Sequence, residues 1–70
     1  MARYIVEKEP QSSGKHTIHN LSTFCPDVPN SQFQKMLGIF PTSRAALREA
    51  KKHFDLVNGC EKCSRDSYVP

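Results

Sequence analysis

The hydrophobic positions of this chain fall into short clusters separated by polar stretches and prolines. Residues 2–8 and residues 16–21 each hold a small β-branched or aromatic cluster, which predicts two short strands. The polar loop at residues 9–15 contains proline and glycine, so these strands are expected to pair as a hairpin. Residues 31–36 predict a single helical turn, and the apolar run at residues 37–40 predicts a third strand.

The clearest pattern is that of a helix over residues 43–54. Pro41 marks its boundary, and Thr42 or Ser43 can cap its N-terminus. Its apolar positions follow the i, i+3, i+7 spacing of one buried stripe, with Ala46 at the edge. The predicted stripe is Leu47, Ala50 and Phe54. The apolar cluster expected to form the core is Ile5, Ile18, Ile39, Leu47 and Phe54.

Composition indicates that this core needs additional support. The chain has 70 residues, no Trp and 37% hydrophobic residues, and a domain of this size buries too little surface to be more than marginally stable. Three cysteines is an odd number, which argues against a disulfide scaffold and for reduced, metal-bound thiolates. No stretch has the pattern of a membrane span or signal peptide, so a cytoplasmic protein is expected.

The candidate chemistry centres on Cys60 and Cys63, a Cys-x-x-Cys pair that follows the predicted helix. Two intervening residues let a tight turn direct both sulfurs at one centre, and Gly59 is expected to give the backbone the freedom to enter that turn. A thioredoxin-like redox pair would instead begin a helix within a βαβ unit of a longer chain. The spacing therefore favours zinc, or another thiolate-bound metal, over a redox pair or two unrelated thiols.

Two further ligands are needed for a tetrahedral metal. Cys25 precedes Pro26, which favours an extended conformation and a fixed turn, so a ligand is favoured over a core cysteine. His19 lies nearer to Cys25 than His16 does, and residues three apart on a strand point to opposite faces, so only one of the two histidines is expected at the metal. The other candidates for the fourth position are His53, Asp27 or water. The favoured site is His19, Cys25, Cys60 and Cys63 around a structural zinc.

The stretch from Gly38 to Cys63 contains a short apolar strand, Thr-Ser opening an Ala-rich helix, and a turn with Cys-x-x-Cys. In this order of elements the chain resembles the metal-binding domain of the Ada DNA-repair family, especially its small stand-alone or nuclease-appended versions. The resemblance covers roughly residues 16–65. It implies that a strand-borne His and a following Cys join the Cys-x-x-Cys pair around one zinc. It does not imply alkyl transfer, which requires a four-cysteine site with a nucleophilic thiolate.

These observations predict an α+β fold: a small zinc-stabilised domain with two or three short antiparallel strands and one main helix at about residues 43–54. The domain is expected to span residues 1–66, followed by a mobile tail at residues 67–70. A monomer is expected.

The charge pattern bears on possible partners. Ten Lys and Arg against seven Asp and Glu give a net charge of +3, which permits nucleic-acid contact without requiring it. A solvated helix face, or contact with an acidic protein, remains an alternative. The residues of the candidate nucleic-acid surface are Arg44, Arg48, Lys51, Lys52, Lys62 and Arg65.

The function favoured by the sequence is a small zinc-containing interaction module, with DNA or RNA as the first partner class, and not an enzyme. The alternative is a metal-dependent enzyme or a redox protein that uses Cys25, Cys60 and Cys63. A deaminase-like enzyme would also need a general base, and Glu61 lies in a two-residue turn where it is expected to face water.

Overall fold

The computed structural model describes residues 1–23 and 25–69 and shows a mixed sheet with a helix on one face. The strand order in the sheet is β3-β1-β2-β4. β1 pairs antiparallel with both β2 and β3, whereas β4 pairs in parallel with β2. The strands are β1 (Ala2–Glu7), β2 (His16–Asn20), β3 (Gln34–Phe40) and β4 (Val57–Gly59).

This arrangement confirms the α+β fold class and the β1–β2 pairing, and it adds a fourth strand. β4 is only three residues long, and its parallel pairing with β2 connects residues distant in sequence, so no local hydrophobic pattern marks it. The predicted helical turn at residues 31–36 is shorter in the structure. A 3₁₀ turn spans Ser31–Phe33, and β3 begins at Gln34.

The helix, α1, spans Ser43–Ala50 and is shorter than predicted. The side chain of Thr42 accepts a hydrogen bond from the Ala45 N–H at the N-terminus, which satisfies one otherwise unpaired donor. At the other end the N–H of Lys52 bonds to the carbonyl of Glu49, an i→i+3 contact that tightens the last turn. The chain then returns to the sheet to form β4.

The core lies between α1 and one face of the sheet. It contains Tyr4, Val6 and Ile18 from the strands, packed against the fully buried Ala46 and Ala50 of α1. Six partly buried side chains complete this core: Ala2, Leu37, Phe40, Leu47, Phe54 and Val57.

Two members of the predicted core lie elsewhere. Ile39 is 57% exposed, because it pairs with Arg3 on an edge strand and so faces away from α1. Ile5 is fully buried, but it alternates with Tyr4 and Val6 and therefore lies on the sheet face opposite α1. The helix stripe is also rotated by comparison with the prediction: its most buried residues are Ser43, Ala46 and Ala50.

The C-terminal segment packs against the remainder of the chain. A 3₁₀ turn spans Arg65–Ser67, and Ser64 and Ser67 are both buried. The side chain of Asn58 accepts from the Val69 N–H and donates to the Val69 carbonyl. The domain limit at residue 66 and the mobile tail stay predictions, and Pro70 lies outside the described residues. Among the described residues, no helix has the length and apolar character needed to span a bilayer.

Candidate metal centre

Four of the predicted residues converge on the sheet face opposite α1. His19 lies on β2 and points away from the core, because the alternate residue Ile18 points into it. Cys60 directly follows β4, and its N–H donates to the Ile18 carbonyl at 3.1 Å, so the parallel pairing of β4 with β2 brings it beside His19. Cys25 comes from the loop after β2, and Cys63 completes the group.

The donor atoms of these four residues all lie within 4.8 Å of one another. The Sγ atoms of Cys25 and Cys60 are 3.7 Å apart, and Nδ1 of His19 is 3.5 Å from Sγ of Cys63. His19, Cys25 and Cys60 are buried, and Cys63 is half-buried. One imidazole and three thiols that converge in this way could hold a metal ion.

The orientation of His19 depends on Glu7. Nε2 of His19 lies 2.6 Å from the Glu7 carboxylate, which accepts its hydrogen. This contact leaves the lone pair of Nδ1 directed at the cysteines. Gln11 donates to the other Glu7 oxygen at 3.1 Å and steadies the carboxylate in turn. Carboxylate–histidine pairs of this kind fix the ring and tautomer of metal-binding histidines.

The Cys63 sulfur accepts hydrogen bonds from the structure around it. The Asn20 N–H donates to it at 3.4 Å, and the Ser64 hydroxyl lies 4.0 Å away. Burial, assisted by the adjacent thiols of Cys25 and Cys60 and opposed by the Asn20 N–H, raises the pKa of the Cys63 thiol to about 12. A bound divalent cation acts in the opposite direction because it stabilises the thiolate.

The tight turn of the Cys-x-x-Cys segment is closed by the Ser64 N–H, which donates to the Cys60 carbonyl at 2.8 Å. Glycine at position 59 was expected to provide backbone freedom for the turn, but Gly59 does not have a positive φ. A Cβ at this position would lie 2.1 Å from Oγ of Ser67 and 2.5 Å from the Ser64 carbonyl oxygen. Glycine is needed because the following segment packs directly against β4.

The other candidate ligands lie outside the cluster. His16 is on the core side of β2, where it stacks on Phe54 with ring centroids 3.8 Å apart. His53 contacts Glu49 at the end of α1. Asp27 pairs with Lys62 at 3.2 Å. The role of His19, Cys25, Cys60 and Cys63 as ligands stays a prediction, but the structure brings these four together.

The six basic residues of the candidate nucleic-acid surface are exposed. Some of them have intramolecular partners: Nε of Arg44 donates to the Asp66 carbonyl, Lys52 pairs with Glu49, and Lys62 pairs with Asp27. The remaining members have no ion pair within the described residues. They are Arg48, Lys51 and Arg65.

Glu7 was not among the residues predicted from the sequence to lie at the site. The sequence did contain an indication of its role. Glu7 lies on the first predicted strand, and the predicted hairpin partner of that strand carries His19. Without the register, however, Glu7 could not be distinguished from the nearby Glu9, which is exposed. The register pairs Ile5 with His19 and thereby places Glu7 on the same face.

Comparisons of the chain with protein-family models, with curated proteins and with solved structures give no significant match. The function must therefore be inferred from the geometry of the site.

Proposed function

We propose that this chain is a structural zinc domain that serves as a small interaction module. The separations between donor atoms carry the proposal. With Zn–S of about 2.3 Å and Zn–N of about 2.0–2.1 Å, a tetrahedral site requires S···S near 3.8 Å and S···N near 3.6 Å. The observed separations are 3.7 Å for Cys25–Cys60 and 3.5 Å for His19–Cys63.

The donor set supports a structural role over a catalytic one. Three thiolates and one imidazole would fill all four positions of zinc, whereas a catalytic site keeps one position for water or substrate. His19 supports this reading because its Nδ1 points to the cluster and its Nε2 is held by Glu7. Glu61, the candidate general base, is exposed. We therefore propose that the chain is not an enzyme.

The metal would cross-link three segments that are distant in sequence. His19 is at the end of the hairpin, Cys25 is in an irregular loop, and Cys60 and Cys63 follow the last strand. Binding to the folded state alone makes metal affinity part of the folding free energy, on the order of 10–16 kcal/mol for structural zinc peptides. The resemblance to the Ada metal-binding domain belongs to the same proposal, since His19 is on a strand and precedes Cys25.

Cobalt substitution tests the proposed site. Titration of the metal-free protein with Co²⁺ should saturate at one equivalent, with intense tetrahedral bands and sulfur-to-cobalt charge transfer, and Zn²⁺ should then displace the cobalt. His53→Ala should leave the spectrum unchanged, whereas Cys25→Ser should weaken the charge-transfer band. A weak octahedral spectrum, or a spectrum unaffected by Cys25→Ser, would contradict the proposal.

Nucleic-acid contact is the partner class proposed for the exposed basic residues. Support comes from Arg44 and Arg48 on α1 and from Lys51 directly after it. Arg65 lies on the segment that packs beside α1, where the Arg44 side chain donates to the Asp66 carbonyl. Basic residues gathered in this way would contact phosphates, and binding would weaken steeply with salt.

Charge reversal tests this contact. The zinc-loaded protein should shift a random-sequence DNA duplex or a single-stranded RNA at low salt, and Arg48→Glu with Lys51→Glu should abolish the shift. Lys8→Glu, an exposed lysine distant in sequence from this group, is the matched control and should retain binding. A shift that survives the double reversal, or no shift at low salt, rejects nucleic acid as the partner class.

A further inference from the structure

The outer edge of β3 is not explained by the metal centre or by the basic residues. β3 is at one end of the strand order, so one side of it has no neighbouring strand among residues 1–23 and 25–69. Met36 and Ile39 on this strand are each 57% exposed. An exposed apolar edge strand is prone to pair with other chains, and proteins usually protect such edges with charge, proline or a covering segment.

The main chain at these two residues also faces outward. The Leu21 N–H donates to the Arg3 carbonyl at 2.8 Å, so the polar groups of Arg3 point away from β3. In two antiparallel strands, directly opposite residues behave alike: if one points its N–H and C=O away from the other strand, its partner does so too. Ile39 is opposite Arg3, so its N–H and C=O face outward. Met36 is opposite Ile5, which lies two residues after Arg3 on β1 and points its main-chain groups in the same direction as Arg3 does. The main-chain groups of Met36 therefore also face outward.

An open depression of about 510 Å³ adjoins this edge. Arg3 pairs with Ile39 across the strands, so both side chains lie on the sheet face opposite α1. Within residues 1–23 and 25–69, no carboxylate lies within ion-pair distance of the Arg3 guanidinium. The depression is lined by Met1, Arg3, Leu21, Ser22 and Ile39.

We propose that the β3 edge binds an extended, acidic segment of a partner protein as an added strand. The main-chain groups of Met36 and Ile39 supply the ladder hydrogen bonds, their side chains receive apolar residues, and Arg3 binds a carboxylate. Recognition of this kind takes affinity from the main chain and specificity from alternate side chains. This proposal concerns the face opposite α1 and goes beyond the proposed zinc and nucleic-acid functions.

Charge selects this occupant over a second copy of the chain. The β3 sequence, QKMLGIF, contains one lysine and no acidic residue, so a second β3 would offer no carboxylate to Arg3. Each copy also carries a net charge of +3. The bulge at Leu37–Gly38, where Gly38 has a φ of 124°, divides the edge, so the bound segment would pair regularly in two short stretches.

A displayed library of random nine-residue segments, selected on the zinc-loaded protein, tests the proposal. The enriched segments should alternate apolar residues with others and contain Asp or Glu. As a synthetic peptide, an enriched segment should lose at least tenfold in affinity against Arg3→Glu and against Ile39→Lys. Arg48→Glu, a matched charge reversal on the opposite side of the sheet, should leave the affinity unchanged.

Both replaced side chains are exposed, so each variant should retain zinc and the circular dichroism of the parent. This control separates failure of the edge from failure of the metal centre. The absence of enriched segments, or enriched segments insensitive to both variants, overturns the proposal. Sedimentation that shows a dimer abolished by Ile39→Lys also overturns it, because a second copy would then occupy the edge.

Discussion

At the scale of single residues, Glu7 is the side chain that holds the His19 imidazole of the candidate metal centre. Replacement by Gln keeps the size but removes the negative charge that holds the His19 imidazole. We expect Glu7→Gln to lower metal affinity by roughly 10–100-fold, as for other carboxylate partners of metal-binding histidines. Competition with a chromophoric zinc chelator measures this loss. Glu9→Gln, an exposed neighbour of the same kind, should leave the affinity unchanged.

Tyr4 gives a prediction on pH. Burial, and then the negative charge of Asp66, raises the pKa of the Tyr4 phenol above its usual value of 10.0. The folded state therefore favours the neutral phenol, so this contribution to stability is complete below about pH 10 and is lost as the pH rises through the folded pKa. In a Tyr68→Phe background, the tyrosinate absorbance of Tyr4 should appear at higher pH in the folded protein than in denaturant. Coincident titrations would contradict the burial argument.

At the scale of elements, the close contact at Gly59 predicts a large effect for a small change. Gly59→Ala places a Cβ against the Ser64 carbonyl and the Ser67 hydroxyl, and such overpacking typically costs about 1–3 kcal/mol. Urea unfolding of the zinc-loaded protein measures the loss. In a Ser67→Ala background the penalty should persist, because the Ser64 carbonyl and the Ser67 main chain remain in place. If Gly59→Ala causes no loss of unfolding free energy in the Ser67→Ala background, the clash involves only the Ser67 hydroxyl.

The elements also show which parts of the fold the sequence could predict. The two hairpin strands and the start of α1 follow from local signals: β-branched clusters and the Thr42 cap after Pro41. β4 and the β3 bulge depend on pairing between distant residues, which local periodicity does not contain. The same reason explains Ile39, whose apolar character indicated a core position while its strand register exposes it.

At the scale of the whole molecule, the protein has two faces of different character. One face of the sheet packs on α1 around a small core, and the other bears the cysteine–histidine cluster. Chemistry and spacing were enough to select the four residues of that cluster, since Cys60 and Cys63 are separated by only two residues and few other donors were available. The contact from Glu7 and the parallel placement of β4 could be obtained only from the three-dimensional arrangement.

Native mass spectrometry of the parent, with His19→Ala and His16→Ala measured beside it, would show whether the cluster holds a metal ion. We expect one zinc per chain in the parent and in His16→Ala, because the native His16 ring stacks on Phe54 away from the cluster. We expect His19→Ala to lose zinc or to bind it far more weakly. A folded, reduced parent without metal, or zinc retained equally in both variants, would contradict a metal site at His19, Cys25, Cys60 and Cys63.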